Sequence, residues 1–423
     1  MYDILSVYLE NGLRVVMHKV PHVRTMACGI WVGQGSKHES DETNGLSHLI
    51  EHLMINIDNS NNSTFQKLIN EITSEGIVYN AGTTKETTSY FFTGLSNMLE
   101  KCLQTLASIV IDNKGFTKEL IENEKKVVTQ ETISFYSSFN QIKERMSQAL
   151  WGNVGIGRII VGSLENIKGA KPEDLENIIE NSYTPGNSTL VVVGGIDYQK
   201  TLDLIEEYFS RWEDTTTRPY KEIVDSEPGI YFNSGGSGKS TAVSIGFRCP
   251  SFMDKERLNI ELIANMLGSV SLESRLVQEI RMKRGLAYNI GAFTSFYETR
   301  GTLGFTAVCE NNAVSEVVKI MVAEFGKAKT EGFTVKELSR AKKVLETRTL
   351  LELDDISAQL RFLGRCASSE KLFSLEQEIR TIKKVSNESV EKTLQDIFVE
   401  SNLGFAAIGN CNVDEVISLL TLD

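Results

Sequence analysis

One order of elements occurs twice in this chain, once in each half, and that repetition restricts the fold more than any other feature. A continuous apolar strand over Met26–Val32, a polar loop and a helix beginning at 45 are echoed by a strand over Ala242–Phe247, a loop and a helix over 255–267. Tyr90-Phe-Phe-Thr-Gly-Leu before a long helix is echoed by Gly304-Phe-Thr-Ala-Val before a helix over 312–330. Between the halves, Glu213-Asp-Thr-Thr-Thr-Arg-Pro-Tyr and Ser226-Glu-Pro-Gly229 are polar and aperiodic, so a linker is expected over 213–229. The pattern predicts an α+β chain of two homologous domains, 1–218 and 219–423, each a sheet covered by helices.

Within the first half, Asn11-Gly12 marks a hairpin turn between extended pieces. Helical periodicity falls at 45–57, 63–74, 96–112 and 117–137, with a strand at 87–95, then further helices at 138–150, 172–182 and 198–211 around a strand at Thr189–Val193. Charge and cysteine usage narrow the function classes. With 44 basic against 56 acidic side chains the net charge is −12, and no dense basic patch offers itself to a nucleic acid. No apolar run approaches a membrane span, and Met1-Tyr-Asp-Ile-Leu lacks the basic and apolar regions of a signal peptide. Six cysteines are scattered without a Cys-x-x-Cys pair, as expected of reduced, buried thiols in a cytoplasmic protein.

Histidine is scarcer and more informative. The five lie at 18, 22, 38, 48 and 52, so the remaining 371 residues contain none. Chemistry needing two imidazoles must come from the first 52 positions. In Asn44-Gly-Leu-Ser-His48-Leu-Ile-Glu51-His52-Leu-Met, the residues Leu46, Leu49, Ile50, Leu53 and Met54 form an apolar helical stripe. His48, Glu51 and His52 then share the opposite face, within an arc of roughly 100°. Imidazoles at i and i+4 project side by side and can bind one zinc, and the intervening carboxylate can accept a proton beside it. The competing reading is a helix with a wetted polar face.

A catalytic zinc takes a third protein ligand, which here must be Asp, Glu or Cys. The helix over 117–137 offers Glu124 and Glu131. Its apolar stripe, read as Leu120, Ile121, Val127, Val128 and Phe135, places Glu131 inside a core-facing row, where an unpartnered glutamate is rare. Glu119, Glu122, Lys125 and Lys126 show that the helix also has a charged, solvated face.

The His-x-x-Glu-His helix, followed some way on by the Glu124/Glu131 pair, resembles the pitrilysin-type zinc metallopeptidases, a family that includes the β subunit of mitochondrial processing peptidase and two-domain bacterial relatives. Gly29-Ile-Trp-Val-Gly-Gln-Gly-Ser, Tyr79-Asn-Ala-Gly-Thr-Thr-Lys-Glu-Thr-Thr-Ser-Tyr90, Tyr183-Thr-Pro-Gly-Asn and the run Ser274–Tyr288 match further blocks, so the resemblance covers most of the chain. It implies mostly antiparallel sheets in two domains that form half of a clamshell. It also implies one Zn²⁺ per chain held by His48, His52 and Glu131, with Glu51 as general base and Glu124 orienting the site. By the same resemblance Arg281 and Tyr288 approach from the second domain toward the substrate carbonyl, and Asn80, Ala81, Gly82 and Thr83 offer a sheet edge to an extended peptide.

The function expected is that of a zinc-dependent endopeptidase cutting peptides or unfolded precursor segments inside a closed chamber, built by a homodimer or by a heterodimer with a related subunit. The rival is a non-catalytic scaffold or assembly subunit of the same fold. Asn233-Ser-Gly-Gly-Ser-Gly238-Lys-Ser is discarded as a phosphate loop, because its first glycine is missing and a strand follows where a helix is required.

Overall fold

The computed structural model describes residues 4–56, 63–112, 115–213, 227–234, 238–269, 271–366 and 372–422. Most of the linker expected over 213–229 lies outside them.

The first sheet is built from β1 (Ile4–Tyr8), β2 (Arg14–Lys19), β3 (Thr25–Val32), β4 (Val78–Thr83), β5 (Thr88–Leu95) and β6 (Ser188–Gly194), in the order β1-β2-β6-β3-β5-β4. Only β2 and β6 run parallel; the other neighbours are antiparallel. The hairpin predicted at Asn11-Gly12 joins β1 to β2, with Gly12 at a φ of 87° that side-chain-bearing residues avoid. The second sheet contains β7 (Ile230–Asn233), β8 (Ser240–Cys249), β9 (Ala287–Phe296), β10 (Gly301–Glu310) and β11 (Leu403–Ile408), in the order β7-β11-β8-β10-β9.

The two orders are one plan. One parallel pair, β7 with β11, is followed by antiparallel pairs β11–β8, β8–β10 and β10–β9, as β2–β6 is followed by β6–β3, β3–β5 and β5–β4. The segments that echo each other in the sequence, Met26–Val32 with Ala242–Phe247 and Tyr90–Leu95 with Gly304–Val308, occupy equivalent strands. The glycine-rich stretch after Asn233 joins strand β7 to strand β8, not to a helix.

Alternation along the central strands sorts each sheet into two faces. On β3, Met26, Cys28, Ile30 and Val32 enter the main core with Leu49, Leu53 and Leu103. Ala27, Gly29 and Trp31 point the other way and are covered by a helix over Ile356–Arg365, in which Gly364 lies so close to Trp31 that a Cβ would come within 2.1 Å of the indole. Thr93, paired with Ala27, meets Ser357 of that helix at 3.0 Å between hydroxyls. In the second sheet Val243, Ile245 and Phe247 face a core where Phe247 packs on Phe325 and Phe398. Its other face presents Ala242, Ser244 and Gly246, small enough for helix Ile142–Trp151 to settle on through Met146 and Leu150.

Each sheet is thus closed by a helix from the opposite half of the chain. One compact unit comprises Met1–Ser134, Ile159–Glu222 and Leu350–Gln377; the other comprises Phe135–Arg158, Ile223–Thr349 and Glu378–Asp423. The division into 1–218 and 219–423 read from the sequence does not anticipate this exchange, because amphipathic periodicity says that a helix covers a sheet without saying which. All six cysteines are free thiols, five of them buried.

Candidate metal centre

The helix carrying the histidines runs over Leu46–Ile55. Its start is held by a carboxylate from outside the helix. Glu39, 4% exposed, accepts hydrogen bonds from the Gly45 amide at 2.9 Å, the Ser47 amide at 2.7 Å and the Asn44 side-chain amide at 2.9 Å. An anion there satisfies first-turn amides and complements the positive end of the helix dipole. Burial pushes the Glu39 carboxyl up, while these donors oppose the rise. Gly45 turns the chain into the helix at a φ of 103°, pressed against Gly162, whose own φ is 65°.

Leu46, Leu49, Ile50, Leu53 and Met54 are buried as the stripe predicts. The opposite face is not a wetted surface: Glu51 is buried, and the His48 and His52 side chains are only 14% and 19% exposed. The imidazoles meet edge to face with centroids 4.8 Å apart.

The third and fourth groups come from helix Lys118–Ser137. Glu131 Oε2 lies 3.6 Å from His48 Nε2 and 3.4 Å from His52 Nε2, so three donor atoms converge within 4.8 Å of one another. Glu124 Oε2 sits 3.3 Å from His52 Nδ1, and its Oε1 accepts from Asn56 Nδ2 at 2.6 Å. The two ring nitrogens of His52 are thereby divided between the two glutamates. Glu51 Oε2 accepts the Thr83 hydroxyl at 2.6 Å.

Glu131 does not lie in the buried stripe expected from the sequence. The buried row of this helix is Leu120, Ile121, Glu124, Lys125, Val128 and Thr132, while Val127 is exposed and the Glu131 side chain is 49% exposed. With roughly 100° per residue, Glu131 and Val127 fall to the side of the Val128 row. Glu131 therefore flanks the core and reaches the histidines from the accessible side, and Glu124 is the carboxylate that burial singles out.

Burial and the neighbouring His52 hold the His48 imidazole down to about 4, the neutral form a metal ligand requires. His52 goes the other way: burial lowers it, but the contact with Glu124 and the charges of Glu131, Glu51 and Glu124 outweigh that effect. Burial pushes Glu51 up, against the Thr83 hydrogen bonds and the His52 charge. Two imidazoles and a carboxylate converging on one point, with one histidine neutral, suit the borderline-soft preference of zinc.

Asn80–Thr83 lie on β4, the outer strand of the first sheet, with no partner on the far edge among the described residues. Tyr79 and Ala81 face the core, so Thr83 shares their face, and Asn80 and Gly82 lie on the other. Arg281 and Tyr288 belong to the second unit. Arg281 lies in the last turn of a helix over Val277–Met282, Gly285 reverses the chain at a φ of 65°, and Tyr288 is the second residue of β9. They do not share a helix, yet the Arg281 guanidinium stacks on the Tyr288 ring at 4.1 Å, leaving the tyrosine 74% exposed.

Sequence comparison matches residues 14–163 to the family described as insulinase (peptidase family M16), and residues 170–345 to the peptidase M16 inactive domain. The chain belongs to the M16 peptidase family. An uncharacterized zinc protease of Bacillus subtilis (strain 168) is 27% identical to this M16 chain over 402 residues, covering 92% of this chain and 95% of the relative. The mitochondrial-processing peptidase subunit beta of Neurospora crassa is 25% identical over 412 residues, covering 94% and 83%. The solved structure of a protease from Helicobacter pylori superposes with a TM-score of 0.88 at 19% identity, over 96% of this chain and all of that one (100%). The span matched to the inactive domain, residues 170–345, carries no histidine. Among the described residues no helix is long and apolar enough to cross a membrane.

Three contributors escaped the sequence reading: Glu39 at the helix start, Asn56 behind Glu124, and the Thr83 hydroxyl on Glu51. Glu39 lies outside the spacing of a capping box, and Asn56 follows the last apolar position, so neither carries a local signature.

Proposed function

We propose that this chain is a zinc-dependent endopeptidase in which His48, His52 and Glu131 hold one zinc ion and Glu51 is the general base. The observation that carries the reading is the convergence of three ligand atoms within 4.8 Å, with the Glu51 carboxylate on the same helix face. Bound there, zinc supplies Lewis acidity to a carbonyl oxygen and lowers the pKa of water. The protein's own groups do the rest. Glu51, raised by burial, takes a proton from the attacking water and passes it to the leaving amine. Glu124, braced by Asn56, keeps His52 oriented so that Nε2 faces the ligand cluster. Arg281 and Tyr288 donate hydrogen bonds to the oxygen as it gains charge. The outer edge of β4 takes an extended peptide as an added strand, so backbone hydrogen bonds provide most of the recognition. Unfolded peptides are therefore the substrate class, and a pair of chains, identical or related, forms the closed chamber.

Protein purified without chelator tests this by elemental analysis, together with mass spectrometry of a peptide-library digest. One equivalent of zinc and cleaved peptides are expected, and Glu51→Gln keeps the zinc and loses turnover. Less than about a tenth of an equivalent of any transition metal would sink the zinc reading and favour the scaffold.

A further inference from the structure

Glu51 is buried, so its carboxylate has little solvent to hold it in one orientation. Among the described residues, Thr83 of β4 holds it. Thr83 Oγ1 donates to Glu51 Oε2 at 2.6 Å, a charge-assisted length, and the Thr83 backbone amide adds a second favourable interaction. Thr83 is the last residue of β4, opposite Thr88 at the closed end of the β4–β5 ladder, where strand pairing fixes its position. Of the three β4 residues on the helix-facing side, Tyr79 and Ala81 pack against the core, and Thr83 turns a hydroxyl to the carboxylate.

We infer that Thr83 is a positioning residue: its hydroxyl fixes the plane of the Glu51 carboxylate, so that the strand offered to the peptide also sets the geometry of the base. This rests on the reading of Glu51 as general base. A base within hydrogen-bond reach of its proton loses rate steeply when displaced by even about 1 Å. Valine fits the same β-branched space without a donor, whereas serine keeps the donor.

The test compares Thr83→Val, Thr83→Ser and Glu51→Gln on a quenched fluorescent peptide, with zinc content and melting temperature measured for each. Thr83→Val should lower kcat about 10- to 100-fold with KM within about twofold, and Thr83→Ser should stay within about threefold of wild type. Zinc content should be unchanged in all three. A second readout does not depend on activity: in a crystal structure of zinc-free Thr83→Val, the Glu51 carboxylate should have left its present position. Wild-type kcat in Thr83→Val beside an inactive Glu51→Gln overturns the inference while leaving the base intact. Equal losses in Thr83→Val and Thr83→Ser overturn it too, since shape and not the hydroxyl would then matter. A fully active Glu51→Gln removes the base itself, and the inference with it.

Discussion

Replacing Gly162 by alanine tests whether the start of the metal helix is set by backbone contact. A Cβ at this position would lie 2.2 Å from the Asn44 carbonyl oxygen and 2.4 Å from the Gly45 Cα, both backbone atoms without a rotamer to yield. Against an ordinary contact of about 3.5 Å, the overlap exceeds about 1 Å. The left-handed φ of 65° adds about 1–2 kcal/mol for any residue with a Cβ, and overpacking adds about 1–3 kcal/mol. The expected cost is about 2–5 kcal/mol, a large share of the stability of an ordinary domain. Relief requires Asn44–Gly45 to move, which disturbs the Glu39 cap and shifts His48, in the first turn, relative to Glu131. If about 1.4–2.8 kcal/mol of this reaches the ligand geometry, zinc binding weakens about 10- to 100-fold. Gly76→Ala is the control: its φ of 79° is also positive, but nothing lies within 4 Å of the added methyl. Urea unfolding and chelator-competition titration measure both effects. An unfolding free energy within about 1 kcal/mol of wild type and an unchanged zinc Kd for Gly162→Ala would refute the reasoning. So would an equal loss of zinc affinity in Gly76→Ala.

Because Tyr288 is 74% exposed, Tyr288→Phe keeps the ring beneath Arg281 and should leave the melting temperature unchanged. Turnover should nevertheless fall about 10- to 1000-fold, as for the loss of an oxyanion donor; unchanged kcat would exclude the hydroxyl from the reaction. Glu337 offers a pH-dependent test of stability. Burial works against its charge, but the Arg275 guanidinium and the Thr334 amide and hydroxyl hold the carboxyl from the ordinary 4.5 down to about 2. A depressed folded pKa stabilises fully above the unfolded value, so Glu337→Gln should cost about 2 kcal/mol at pH 7 after allowing for solvent screening. That difference should shrink as the pH falls from about 4.5 toward about 2, and a pH-independent difference in urea unfolding would contradict it. Sedimentation should find at least a dimer in the active particle, and an unfolded peptide should be cut in preference to a folded protein containing the same sequence. A strictly monomeric enzyme that cuts both equally would reject the chamber.

The repeated order of elements was legible because strand and helix periods survive even when identity has faded. The matched pairs β3/β8 and β5/β10 follow from period and burial alone. Helix ends were less legible: the run expected over 96–112 is helical at Leu99–Ala107, opened by a short tight turn and closed by a wider one over Ser108–Asp112. The histidine helix could be read since both faces carried a signal, one apolar and one chemical. Glu131 was named on a mistaken stripe, because a helix rim and a helix core differ by well under one residue's rotation of about 100°. The positions of Glu39 and Thr83 depend on where the chain returns after a loop or a hairpin, which no local pattern encodes. The destinations of helices Ile142–Trp151 and Ile356–Arg365 were hidden for the same reason.

That exchange of helices sets a timetable for synthesis. The first sheet is threaded mostly from the opening residues, and its metal helix is made by residue 55. Yet the face bearing Ala27, Gly29 and Trp31 stays without its cover until the helix ending at Arg365 has been made, and the Thr93–Ser357 contact spans 264 positions. A chain growing from its N-terminus therefore holds the first unit unfinished until the segment Leu350–Gln377 has been added. Closing the first sheet on this face therefore waits on residues 264 positions beyond the strand partner they meet.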